Sequence, residues 1–157
     1  SGSSGMPKVE PIAPRVIPGI DRSGPGRLSS PVFKLTVHAE FCAAHALLIG
    51  GVREPVHGHN WRVRAVIAGP ELDADGLLCD FHQVEQALAQ VLGPLRNSHL
   101  NELSIFKSYN PTAEIVAKHV ATRLYEILKP RLPQFARVEE VEVTEAPGCA
   151  ATYQPPR

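Results

Sequence analysis

From Val32 onward, apolar and polar positions alternate along the chain. Phe33, Leu35, Val37, Ala39 and Phe41 fall on one side and Lys34, Thr36, His38 and Glu40 on the other, which is the period of a half-buried strand. The alternation returns from Trp61 to Ala68, with Trp61, Val63, Ala65 and Ile67 opposite Arg62 and Arg64, and Gly69-Pro70 ends it. These two stretches predict an antiparallel pair joined by a long loop. The period then lengthens: Phe81, Val84, Ala87, Leu88, Val91 and Leu92 form one apolar stripe of a helix capped by Asp80 and stopped by Gly93-Pro94. A second helix is expected to begin at Asn110-Pro111 and to run through Ile115, Val116, His119, Val120, Leu124 and Ile127 before Pro130. Residues 138–145 and 150–154 read as a closing strand pair. The order strand, strand, helix, helix, strand, strand predicts an α+β domain, a four-stranded antiparallel sheet with two helices on one face. Its outer strands leave unpaired backbone groups, and edge-to-edge association of several copies would cover them.

Composition narrows the class. The opening SGSSG before Met6 reads as an expression-tag remnant. Pro7, Pro11, Pro14, Pro18, Pro25 and Pro31, with three glycines among them, make residues 7–31 a leader that sustains neither helix nor ladder. The organisation expected is therefore a tag remnant and mobile leader over 1–31 and a single catalytic domain over 32–157. Lys plus Arg and Asp plus Glu number 16 each, so no net field draws the chain to nucleic acid or to an anionic membrane. Cys42, Cys79 and Cys149 are odd in number and widely spaced, an arrangement that suits a reducing cytoplasm better than a disulfide framework. No apolar run approaches the ~18 residues of a membrane span.

The chemistry is concentrated in EPVHGHNW, residues 54–61. Side chains one residue apart point to the same side of an extended chain, so His57 and His59 can aim at one point, with Gly58 adding no bulk. His45 lies just beyond the first strand, and pairing of the two strands would bring it to the same end of the hairpin. Three imidazoles with an open fourth position are the catalytic form of a zinc site, and zinc suits neutral imidazole better than magnesium does. The alternative is exposed loop histidines. Along VEEVEVTE, Val141, Val143 and Glu145 share a strand face, so the side that should meet the core ends in a carboxylate. Either the ladder ends at Val143 and Glu145 sits in solvent, or Glu145 is buried and faces donors, such as two adjacent N–H groups of a planar ligand. Glu54, three residues ahead of His57, is a candidate general base or a solvated loop residue. Thr112 and Glu114 fit a first-turn hydroxyl and an acid set against the helix dipole, or a pocket lining. Cys42 reads as a small buried residue, and Trp61 as core.

In order, FCAAH at 41–45, HGHNW at 57–61, CDF at 79–81, HLNEL at 99–103, NPTAE at 110–114 and VEVTE at 141–145 resemble the family of 6-pyruvoyltetrahydropterin and 6-carboxytetrahydropterin synthases. The likeness spans nearly everything after residue 31. It implies the tunnelling fold, in which ββααββ subunits form trimeric barrels that stack into a homohexamer with active sites between subunits. It also implies zinc on His45, His57 and His59, a pterin ring anchored by Glu145, and 7,8-dihydroneopterin triphosphate as the substrate class. Two departures stand out. The family's usual cysteine base before H-G-H is missing from GGVREPV at 50–56, and Glu54 instead resembles the subgroup with E-x-x-H-G-H, linked to 6-hydroxymethyl-7,8-dihydropterin for folate synthesis. At the family's L-D-H-x-x-L-N, Arg96 and Asn97 stand where the relay aspartate and histidine are expected, and His99 lies two positions later, on a loop from which it can swing into the relay.

The expectation is thus a cytoplasmic, zinc-dependent pterin lyase, with Glu54 and His99 as catalytic candidates and Glu145, Thr112 and Glu114 facing the substrate. Synthesis of 6-carboxytetrahydropterin for queuosine is the rival among enzymes. A pterin-binding relative that lost the relay, and a structural subunit with an incidental zinc, are the rivals outside catalysis.

Overall fold

A computed structural model of the protein describes residues 32–156, and the tag and leader read into 1–31 lie outside the described residues. Strand β1 spans Phe33–His45, a short hairpin follows as β2 (Leu48–Ile49) and β3 (Val52–Arg53), and β4 spans His57–Gly69. Helix α1 covers Phe81–Leu92, β5 covers Ser98–His99, α2 covers Ala113–Leu128, and β6 (Arg137–Ala146) and β7 (Cys149–Tyr153) close the chain. The main sheet has the order β5-β1-β4-β6-β7. The four long antiparallel strands are those the alternation predicts. The added β5 is a two-residue strand parallel to β1, pairing Ala43 with Ser98 and Ala44 with His99. It is set up by Asn97, which takes φ 53 and donates its N–H to the Cys42 carbonyl at 2.7 Å. Asparagine tolerates that left-handed conformation better than most residues.

Both helices pack on one face of the sheet, α1 against β1 and α2 against β6 and β7. Between the layers lie Trp61, Val63 and Ile67 of β4, Val84, Leu88 and Leu92 of α1, Val116, Val120 and Leu124 of α2, and Val141 and Val143 of β6, each at most 1 % exposed. Val138 is buried as well, three residues from Val141, a spacing that strict alternation forbids. The β4–β6 register shifts between Val66 and Ile67, whose partners are Glu140 and Val138. Glu139 is therefore the extra residue of a bulge that returns Val138 to the core side. The face away from the helices carries ion pairs, with Arg64 2.8 Å from Glu140 and 3.3 Å from Glu142.

The helix starts are set by side-chain caps. Asp80 accepts the His82 N–H at 2.9 Å, and Thr112 accepts the Ile115 N–H at 3.4 Å. Helix α2 therefore begins at Ala113, later than Asn110-Pro111 suggested, because proline sits just ahead of the cap and not within the first turn. At the far end of β4, a Cβ on Gly69 would lie 2.5 Å from the Phe135 carbonyl oxygen and 2.8 Å from Leu78 Cδ1. Gly69→Ala is expected to destabilise the fold by about 1–3 kcal/mol, as overpacking does, read as a lower urea midpoint at unchanged slope.

Candidate metal centre

The β1–β4 ladder pairs Phe41 with Trp61, Ala43 with His59 and His45 with His57. The row that begins as apolar core thus continues outward as imidazole. Phe41 and Trp61 stack with centroids 5.8 Å apart, Trp61 donates its indole N–H to the Ala43 carbonyl at 3.2 Å, and the small Ala43 leaves room beside His59. Above that floor the three histidine rings stand 4.7, 5.2 and 4.9 Å apart, edge to face. His45 is not beyond the strand but its last residue, fully buried at 0 % exposure.

Glu145 joins them. The β6 ladder does not stop at Val143 but runs to Ala146, so Glu145 follows Val141 and Val143 on the same face. Its Oε1 lies 3.1 Å from His45 Nε2 and 3.2 Å from His59 Nε2. One donor atom each from His45, His57, His59 and Glu145 fall within 4.8 Å of one another.

The ring nitrogens are assigned by their partners. His45 Nδ1 lies 2.8 Å from the Pro111 carbonyl and His57 Nδ1 2.9 Å from the Pro55 carbonyl. A carbonyl only accepts, so both Nδ1 atoms carry hydrogen and donate, which leaves the Nε2 lone pairs free; fixing the tautomer by such outer contacts is characteristic of metal-ligating histidine. The buried Nε2 atoms of His45 and His59 have no hydrogen-bond partner, since Glu145 is near but out of line. The His59 pKa is lowered from the usual 6.5, first by burial and further by the neighbouring His45 and His57, with Glu145 opposing. That favours the neutral imidazole a metal requires. Orphaned, inward-facing imidazole nitrogens beside a carboxylate fit a divalent zinc-type cation.

The other candidates stand apart from this cluster. Glu54 is half-buried after β3, and its N–H donates to the Leu47 carbonyl at 2.9 Å, a contact that fixes the backbone three residues before His57. His99 lies on β5, with Nδ1 3.3 Å from Glu102 and a buried, unpartnered Nε2. It borders a cavity of about 560 Å3 that Cys42, Gly58, His59, Asn60 and Asn97 also line. Thr112 and Glu114 are occupied at the start of α2, where the helix N–H of Glu114 and then the Thr112 hydroxyl hold the Glu114 carboxyl below its usual range. Cys42 is not the small buried residue expected. It faces the side of the sheet opposite His45, is exposed, and donates its thiol to Asn60 Oδ1 at 3.0 Å.

Four supporting residues escaped the pattern reading. Asn101 clasps the backbone of Ala46, accepting its N–H at 2.9 Å and donating to its carbonyl at 2.8 Å. Asn110 clasps Leu48 in the same way at 2.9 and 3.0 Å. These two and the Pro111 carbonyl hold β1 and its exit in place, and the Pro55 carbonyl holds the first residue of β4. The signal for them was in HLNEL and NPTAE: an asparagine in a loop imitates a strand partner, and a residue just before a helix cap keeps its carbonyl free.

No described helix is long and apolar enough to cross a membrane. Among solved structures, the chain resembles a Caenorhabditis elegans 6-pyruvoyl tetrahydropterin synthase, with TM-score 0.70 and 22 % identity over 80 % of this chain and 97 % of that one. A Plasmodium vivax 6-pyruvoyltetrahydropterin synthase, with TM-score 0.63 and 20 % identity, covers 80 % of this chain and 98 % of its own; it was solved as a variant in which a catalytic glutamate is replaced by alanine. These likenesses establish the tunnelling fold. In sequence, the 6-carboxy-5,6,7,8-tetrahydropterin synthase of Bacillus subtilis is 30 % identical over 129 residues, 78 % of this chain and 86 % of that protein. The family model for 6-pyruvoyl tetrahydropterin synthase matches residues 34–156, and with that match the chain belongs to the 6-pyruvoyl tetrahydropterin synthase family.

Proposed function

We propose that the protein is a zinc-dependent lyase that converts 7,8-dihydroneopterin triphosphate to 6-hydroxymethyl-7,8-dihydropterin. The observation that carries this reading is the convergence of His45, His57, His59 and Glu145, with Glu54 three residues before the H-G-H pair and no cysteine between them. Zinc held by the three imidazoles would supply Lewis acidity to the side-chain hydroxyls of the substrate. Glu54 takes the proton of one hydroxyl, whose carbon becomes an aldehyde as the adjacent carbon–carbon bond breaks; the electrons of that bond pass into the dihydropterin ring, a proton returns to the ring-side carbon, and the aldehyde fragment leaves with the triphosphate. Glu145 accepts two N–H groups of the pyrimidine edge and fixes the ring relative to Glu54. His99 is a candidate carrier for the returning proton. The catalytic glutamate of the Plasmodium vivax relative supports a carboxylate in the base's role.

The Bacillus subtilis relative supports a second reading, synthesis of 6-carboxytetrahydropterin. Thr112 and Glu114 follow Pro111, whose carbonyl holds His45, and would line a substrate pocket closed at a subunit boundary. A homohexamer that pairs the edge strands β5 and β7 with neighbouring copies would create such boundaries. Free Cys42, Cys79 and Cys149 suit a cytoplasmic location.

Incubating the zinc-loaded protein with 7,8-dihydroneopterin triphosphate and identifying the products by mass spectrometry tests the reading. Release of 6-hydroxymethyl-7,8-dihydropterin is expected. A 6-carboxy product replaces the first reading by the second, and no turnover with zinc fully loaded overturns both in favour of a pterin-binding protein.

A further inference from the structure

Glu54 stands at the foot of a hairpin that packing does not hold. Strands β2 and β3 make only two residue pairs, Leu48 with Arg53 and Ile49 with Val52, and a lone two-stranded ribbon is marginal in water. Leu48, Ile49 and Val52 are 48, 58 and 71 % exposed, so little buried apolar area fixes the ribbon, and hydrogen bonds decide where it sits. Among the described residues, the side-chain bonds that reach it from outside come from Asn110. Its Oδ1 accepts the Leu48 N–H at 2.9 Å and its Nδ2 donates to the Leu48 carbonyl at 3.0 Å, across 62 residues of chain. The neighbouring Leu47 carbonyl accepts the Glu54 N–H at 2.9 Å, which carries the constraint across the ribbon. We propose that Asn110 is a positioning residue for Glu54, setting the backbone that bears this carboxylate relative to the imidazole cluster.

The clasp has a firm footing. The Asn110 carbonyl accepts the Thr112 N–H at 2.8 Å, Thr112 caps α2, and α2 is anchored in the core through Val116, Val120 and Leu124. The next residue, Pro111, receives the His45 Nδ1–H at 2.8 Å. Two adjacent residues ahead of one helix therefore hold both the hairpin that leads to Glu54 and the strand end that carries the first imidazole. Base and metal site share one origin. Such a tie matters for rate, because a displacement of about 1 Å in a reacting group costs up to about 10²-fold. Asn110→Ala would leave the Leu48 N–H and carbonyl to water and free the ribbon to take other positions. This inference rests on the reading of Glu54 as the base.

The test joins hydrogen exchange to rates. In Asn110→Ala, amide exchange at Leu48 and Glu54 is expected to rise at least about tenfold, while the interior amides of α1 and α2 and the zinc content stay at wild-type values; this arm needs no substrate. With zinc and 7,8-dihydroneopterin triphosphate, kcat is expected to fall about 10–10²-fold at a nearly unchanged KM. Added to Glu54→Gln, the same substitution should cost less than about twofold, because a residue that acts through the base then has nothing left to position. A merely structural Asn110 would repeat its full factor on that background. Unchanged exchange at Leu48, a full rate in Asn110→Ala, or equal factors in the two backgrounds overturns the inference and leaves the proposed function standing. If Asn110→Ala misfolds, Asn110→Asp, which keeps the acceptor and loses only the donor, takes its place in the rate comparison. A wild-type protein without turnover, or a Glu54→Gln variant with the full rate, overturns the proposed role of Glu54, and the inference falls with it.

Discussion

His45→Ala is expected to strip the protein of its metal. A full four-ligand zinc site contributes about 10–16 kcal/mol, so one imidazole is responsible for roughly 3–4 kcal/mol, or about 10²–10³ in Kd. Zinc content after dialysis against a competing chelator reads this directly, with about one ion retained per wild-type chain and none by the variant. His45 should also matter most of the three for stability, because it is fully buried and its Nδ1–H satisfies the Pro111 carbonyl across 66 residues of chain. Removing it leaves that acceptor unpaired, which costs about 1–3 kcal/mol, and loosens the tie between β1 and the start of α2. His57 contacts a carbonyl only two residues away, so His57→Ala should lose metal with little further loss of stability. Comparable loss of the unfolding midpoint in the two metal-free variants would show that the Pro111 contact does not bear on the fold.

The second large effect belongs to Glu54→Gln. The amide keeps the shape and the backbone contact to Leu47 but cannot take a proton, and the loss of a positioned base costs about 10²–10⁴ in kcat. Because Glu54 lies outside the cluster of metal-binding atoms, zinc content and pterin affinity should stay at wild-type values. The signature is therefore a fall in kcat with KM nearly unchanged. Retention of the full rate would remove Glu54 from the chemistry and direct attention to His99, whose unpartnered Nε2 borders the cavity beside His59; His99→Gln then becomes the decisive variant.

How much of this was legible in advance depended on whether the signal was local. Alternation over Phe33–Phe41 and Trp61–Ala68 located the main hairpin, because each residue's side of a strand follows from its neighbours. The same rule, extended through Glu145, put the carboxylate on the core side, and the structure shows the ladder continuing far enough to keep it there. The three histidines were legible as a set because β1 and β4 pair in full register, with His45 opposite His57. What escaped depended on contacts distant in sequence. The tautomer of His45 is set by a carbonyl 66 residues further along the chain, and no period in the chain reports it. The two-residue β5 is too short to alternate. The bulge at Glu139 makes Val138 and Val141 share a face despite their odd spacing. Cys42 was misplaced because composition favours burial of free cysteine, whereas its strand position turns it away from the helices.

The most direct measurement is anomalous X-ray diffraction at the zinc edge from crystals grown with the metal. A single peak per chain is expected, about 2.0–2.1 Å from the Nε2 atoms of His45, His57 and His59. Absence of density at that point, or imidazoles turned away from one another around an empty centre, would contradict the proposed chemistry at its root.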